Sequence, residues 1–93
     1  EDQGGLGGEA TDIMIVMEQF GKGLVVEPYM PSIILAGGLI SKLGSADQKN
    51  SIIPEIISGD RRYIFAYAEP QSRFDLFDVK CSATLDGDNY IIN

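Results

Sequence analysis

Fourteen aspartates and glutamates against seven lysines and arginines, with no histidine and one cysteine, leave carboxylates, amines, guanidinium groups, hydroxyls and a single thiol to carry any chemistry. General acid–base catalysis needs two carboxylates fixed across a cleft. Asp75 and Asp78 come nearest, but they follow a proline-broken loop and read as solvated side chains. Glu18 sits on an amphipathic segment and reads as a solvated or locally paired carboxylate. Arg61-Arg62 has the charge to hold a phosphate, yet amid so many acids it reads as a source of surface ion pairs. Cys81 cannot close an internal disulfide, and without histidine neither a Cys/His metal set nor a His-based triad can form. Gly4-Gly5-Leu6-Gly7-Gly8 echoes a phosphate loop, but no strand precedes it as the dinucleotide fingerprint requires, so it reads as a flexible turn. No catalytic residue and no metal ligand is assigned within the chain.

The elements that position these groups change type once, at the stretch Tyr63 to Asp75. Tyr63, Phe65 and Tyr67 alternate with smaller residues, which predicts a strand, and Pro70 ends it near Glu69 by removing a backbone donor. A strand running out into an irregular loop leaves free N–H groups beside a cleft, a common place to hold a ligand. Before it, three helices are expected. The first has Thr11 as N-cap, the apolar stripe Ile13, Met14, Val16, Met17 and Phe20, and Gly21 and Gly23 at its end. Pro31 opens the second, which is apolar on most sides from Ile33 to Leu43. Gly37-Gly38 within it weakens the helix but admits a close neighbour. Ser45 and Gln48 have the capping-box spacing that starts the third helix, which Pro54 is expected to kink and Ser58-Gly59 to end. The three are expected to pack as one αα unit. After the loop, residues 79–85 alternate as a strand, Asp86-Gly87 signals a hairpin turn, and Tyr90-Ile91-Ile92 begins the return.

A net charge of -7 disfavours nucleic acid and anionic membranes as partners. The longest apolar run, Ile33 to Ile40, is far short of the ~20 residues that span a bilayer. With no basic leader and a single cysteine, the cytoplasm is the expected compartment. The apolar strand at Tyr90 to Asn93 would expose an edge, so the chain reads as a truncated piece of a larger protein, prone to self-association if isolated.

Taken in order, Gly4 to Gly7, Glu18, Leu43-Gly44, Gln48-Lys49, Ile53-Pro54, Ser58-Gly59 and Asp86-Gly87 with Tyr90 to Asn93 resemble the flavin-dependent acyl-CoA dehydrogenases over the whole chain. The resemblance implies an α+β fragment: antiparallel helices followed by the first strands of an antiparallel β domain. Residues 1–60 correspond to part of the family's N-terminal helical domain and 61–93 to the start of its middle β domain. The C-terminal helical domain, with the family's catalytic glutamate base, has no counterpart here.

The family motif T-E-P-x-x-G-S-D lines the flavin and touches the acyl-CoA. Its match here is Ala68 to Asp75, in which Glu69, Pro70 and Asp75 fit. Ala68 stands for the threonine and Arg73-Phe74 for glycine-serine, which removes two hydroxyls worth on the order of 1 kcal/mol each. Backbone donors at 68 and 74 remain, and Arg73 has the charge either to meet a phosphate or to pair with Asp75 or Asp78. The implied FAD-binding residues are Phe65, Tyr67, Ala68, Arg73 and Phe74, with Phe74 also implied as an acyl-CoA contact. The E-P-Q-S-R-F-D variant is similar to the small-subunit, pimeloyl-CoA dehydrogenase-like members. The implied partners are an acyl-CoA substrate, another acyl-CoA dehydrogenase subunit in a homo- or hetero-oligomer, and electron-transfer flavoprotein. The implied reaction is α,β-dehydrogenation; a non-catalytic structural subunit with a degraded flavin site is the alternative.

Overall fold

The computed structural model describes residues 2–93. Helix α1 spans Ala10–Gly23. A π-helical segment, Tyr29–Gly37, runs directly into α2, Gly38–Leu43, and α3 follows at Ala46–Ser58. A two-stranded antiparallel hairpin, β1 Ala83–Asp86 and β2 Asn89–Ile92, completes the order.

Helix ends follow local chemistry. Glu9, not Thr11, is the N-cap of α1: its N–H donates to the Asp12 carboxylate at 2.8 Å, and Thr11 lies in the first turn. Aspartate at the third helical position offers the stronger, charged acceptor. At the other end Leu24, not Gly21 or Gly23, takes the left-handed position at φ 50°. The Leu24 and Val25 amides close back on the Gly21 and Phe20 carbonyls, which is the Schellman arrangement. For α3 the capping box forms as its sequence predicts: Gln48 N–H donates to Ser45 Oγ at 3.2 Å and Ser45 N–H to Gln48 Oε1 at 2.9 Å. Helix α3 continues through Pro54, and Gly59 caps it at φ 79°.

The second helix starts wide, with a π-helical turn geometry that the apolar periodicity did not announce. Gly37 and Gly38 divide in role. A side chain on Gly37 would meet the Ser32 carbonyl and Ile56 of α3 at 3.5 to 3.8 Å, whereas Gly38 faces open space. Close packing therefore explains one glycine of the pair. Helix α3 packs on both the π-helix and α2, and Ala36 and Ile56 are the buried apolar residues at that junction. Helix α1 stands apart from this unit, against the expectation of a three-helix packing, and buries no residue. It meets the rest through the edge of Phe20 on Tyr29, ring centroids 5.3 Å apart, and across a cavity of about 440 Å³ lined by Ile13, Val16, Ile33, Ile34, Ile56 and Ile57 among others. The radius of gyration, 15.6 Å, exceeds the roughly 12 Å expected of a compact domain this long.

Two strand expectations are corrected. Residues 63–69 form no regular element: Phe65 and Tyr67 do bring their rings together, but the Tyr67 N–H closes a tight turn on the Phe65 carbonyl at 3.0 Å, and no neighbouring strand pairs with the segment among the described residues. Alternation fixes side-chain direction; a ladder needs a partner. In the 79–85 segment only Ala83–Asp86 pairs with β2, preceded by a mutual pair of hydrogen bonds between Ser82 and Asn93. The Lys80 and Cys81 amides are instead taken by the Glu69 carboxylate. Gly87, at φ 61°, turns the hairpin where Asp-Gly predicts it.

Candidate functional site

The loop after Tyr67 is built around Glu69 and Ser72. Ser72, only 7% exposed, donates from its hydroxyl to the Glu69 carbonyl at 3.0 Å and accepts the Glu69 N–H at 3.2 Å. Its own amide closes on the same carbonyl at 3.1 Å. The Glu69 side chain reaches across the loop, where Oε2 accepts Lys80 N–H at 2.9 Å and Oε1 accepts Cys81 N–H at 3.0 Å. Gln71 Nε2 donates to the same carboxylate and to the Asp78 carbonyl. The Gln71 side-chain bond, then the two amides, hold the Glu69 carboxyl below its ordinary value of 4.5. The loop from 69 to 81 is thus closed at its base.

Arg73 and Phe74 sit on the outer turn. Arg73 adopts φ 50°, a left-handed conformation that costs a non-glycine residue about 1–2 kcal/mol. No carboxylate lies within ion-pairing distance of it among the described residues, so the Asp75 or Asp78 pairing is not formed. Asp75 instead accepts the Phe77 N–H at 2.9 Å. Phe74 is 99% exposed. The amides of Ala68 and Phe74 donate to no acceptor among the described residues.

Phe65 and Tyr67 do converge. Their rings lie 5.8 Å apart and, with Leu35 of the π-helix and Leu76 of the loop, line an apolar cavity of about 350 Å³. Ala68, Arg73 and Phe74 do not line it, so the five implied site residues divide into a cavity pair, an outer-turn pair and Ala68 between them. The sequence reading assigned no site role to Leu35, Leu76 or Ser72, and it took Glu69 only as a motif match; the three-residue spacing of Glu69 and Ser72, which suits a side-chain-closed turn, is the signal that points to the role of the last two.

The approach to the loop is clamped to the helices. Tyr63 N–H donates to Ser32 Oγ at 3.2 Å, and the Tyr63 hydroxyl donates to Glu55. That hydrogen bond to Glu55 holds the Tyr63 phenol above its ordinary value of 10. Arg61 lies 3.7 Å from Glu55 and Glu18 pairs with Lys22 at 2.6 Å, as read, whereas Arg62 makes no ion pair among the described residues. Among the described residues no cluster of three or more Cys, Asp or Glu side chains is placed to hold a metal, and no helix is long and apolar enough to cross a membrane.

The profile of the acyl-CoA dehydrogenase N-terminal domain matches residues 1–60, ending just past α3. Acyl-CoA dehydrogenase FadE26 of Mycobacterium tuberculosis is 29% identical over 93 residues, covering 100% of this chain and 23% of the relative. The mitochondrial isobutyryl-CoA dehydrogenase of Dictyostelium discoideum is 32% identical over 94 residues, again 100% of this chain and 23% of the relative. The human mitochondrial short-chain specific acyl-CoA dehydrogenase is 30% identical over 95 residues, 100% of this chain and 23% of the relative. The chain spans about a quarter of the length of these curated relatives. No solved structure matches. With the helical match over residues 1–60 and relatives that run on through the loop and hairpin, the chain belongs to the acyl-CoA dehydrogenase family.

Proposed function

We propose that this chain is part of an FAD-dependent acyl-CoA dehydrogenase subunit, in which residues 1–60 belong to the N-terminal helical domain and 61–93 begin the middle β domain. Its contribution is the flavin-facing loop Ala68 to Asp75 and one wall of the acyl-chain pocket. The observation that carries this reading is the backbone at Arg73: it keeps the left-handed turn that the glycine of T-E-P-x-x-G-S-D is suited to, although the residue type has changed.

The residues fit the cofactor. The Ala68 and Phe74 amides are free to donate, the Arg73 guanidinium is unpaired among the described residues, and Phe74 is turned to solvent and does not fill the loop. When bound, FAD supplies the acceptor for the hydride leaving the substrate β-carbon. This chain's side chains bind and orient. Phe65 and Tyr67 with Leu35 and Leu76 offer an apolar wall to a short acyl chain, and Arg73 offers a charge to a phosphate. The base that removes the α-proton is assigned to no residue here. An acyl-CoA, a second acyl-CoA dehydrogenase subunit and electron-transfer flavoprotein are the partners this reading carries.

Ala68 and Phe74, which replace hydroxyl-bearing residues, favour a second reading: a non-catalytic small subunit of the pimeloyl-CoA dehydrogenase-like type whose flavin site has decayed. Flavin content of the full-length subunit, measured by visible absorbance for wild type and for the Ala68→Thr, Phe74→Ser double variant, separates the two. Full occupancy in wild type supports the first reading. Occupancy that rises sharply only in the double variant supports the second.

A further inference from the structure

The loop hydrogen bonds assign Glu69 a role that neither the motif resemblance nor the relatives specify. Its two carboxylate oxygens take the amides of two consecutive residues, Lys80 and Cys81, eleven and twelve positions downstream, and Gln71 braces the same group from inside the loop. A carboxylate accepting three donors is a stiff, charge-assisted junction. Ser72 closes the near side of the same turn through both its hydroxyl and its amide. None of these bonds involves the side chain of Ala68, Arg73 or Phe74, the three positions at which the motif departs from the family.

We propose that Glu69 is the positioning residue of the flavin-facing loop: by clamping the Lys80 and Cys81 amides it fixes the path of residues 70–78 and so presents the free Phe74 amide of the outer turn to the cofactor, whatever side chains that turn carries. The inference rests on the functional reading given above. It explains how the turn keeps a left-handed residue at 73 without glycine: the base of the loop over-determines its tip. It also makes Glu69 a group that acts through backbone placement and touches no reacting atom.

The test uses the full-length subunit with Glu69→Gln, which keeps the shape and one strong acceptor, and Glu69→Ala, which removes both. Amide hydrogen exchange at Lys80 and Cys81 is read first, without flavin. Protection is expected to fall about tenfold in Glu69→Gln and further in Glu69→Ala. Flavin affinity is read next, by titration of the apoprotein, with a weakening of about tenfold expected in Glu69→Gln. The visible circular dichroism of the bound flavin, at saturating cofactor, is expected to change as well, a signature that a general loss of stability does not produce. Gln71→Ala, which loosens the same carboxylate without altering it, is expected to move all three readouts in the same direction by less. Unchanged amide protection overturns the clamp. Lost protection with unchanged flavin affinity and dichroism overturns the positioning role. A wild-type subunit that takes up no flavin overturns the functional reading, and with it the cofactor half of the proposal, while the exchange data still decide the clamp.

Discussion

Replacing Arg73 separates the backbone of the outer turn from its charge. Arg73 holds φ 50°, where an L side chain costs about 1–2 kcal/mol. Glycine removes that strain but adds about 0.5–1 kcal/mol of unfolded-state entropy. The Arg73→Gly substitution is therefore expected to stabilise the loop by roughly 0.5–1 kcal/mol, since no ion pair to Arg73 is lost among the described residues. Arg73→Ala keeps the strain and removes the guanidinium, so it is expected to leave stability within about 0.5 kcal/mol of wild type. Exchange of the Asp75 amide, which bonds the Ser72 carbonyl across this turn at 2.8 Å, reports the local change in the full-length subunit. Flavin titration of the same two variants reports the charge: if the guanidinium meets a phosphate, both lose affinity, and the glycine variant loses less. Equal exchange rates in the glycine and alanine variants, or slower exchange with alanine, refute the strain argument.

Further outcomes follow from the same geometry. Ser72→Ala leaves the Glu69 N–H without its acceptor inside a part-buried turn, and a local loss of about 1–2 kcal/mol is expected from amide exchange at Ser72 and Asp75. Gly44→Ala is expected to destabilise by about 1–3 kcal/mol in denaturant unfolding, because its Cβ would lie 2.6 Å from the Ile40 carbonyl oxygen; Gly38→Ala, facing open space in helical backbone, is expected to stabilise by about 0.5–1 kcal/mol. Because the folded pKa of Glu69 lies below 4.5, its contribution is complete above that pH and disappears as pH falls through the depressed value, so protection of the Lys80 and Cys81 amides is expected to hold at pH 5 to 7 and fall in more acid solution. Protection that is lost on raising the pH instead would have the wrong sign for this carboxylate.

Local chemistry was legible in the sequence wherever neighbours in the chain decide it. Ser45 and Gln48 form their reciprocal cap, Gly59 takes the left-handed end of α3, and Gly87 turns the hairpin, because each involves groups within a few residues. Glu9 and Leu24 show the limit even there: the best-looking cap, Thr11, and the most permissive residues, Gly21 and Gly23, lose to the positions at which the chain actually enters and leaves the helix. Pairing was not legible. Tyr63 to Glu69 has the alternation of a strand, yet its amides meet serine hydroxyls and a local turn instead of a ladder. The site was half legible. The aromatic pair Phe65 and Tyr67 marks the cavity, but Leu35 reaches it from thirty residues earlier along a π-helical turn that periodicity does not encode. Glu69 was read as a motif residue, and only its reach to Lys80 and Cys81 explains what it holds.

The most direct test of the account is the visible absorbance spectrum of the full-length subunit, purified alone and then co-expressed with a proposed neighbouring acyl-CoA dehydrogenase subunit. The account predicts stoichiometric flavin in the subunit alone, bound through the backbone of the Ala68 to Asp75 loop despite its altered side chains. Flavin that never associates with this subunit, alone or with the neighbouring subunit, would contradict it.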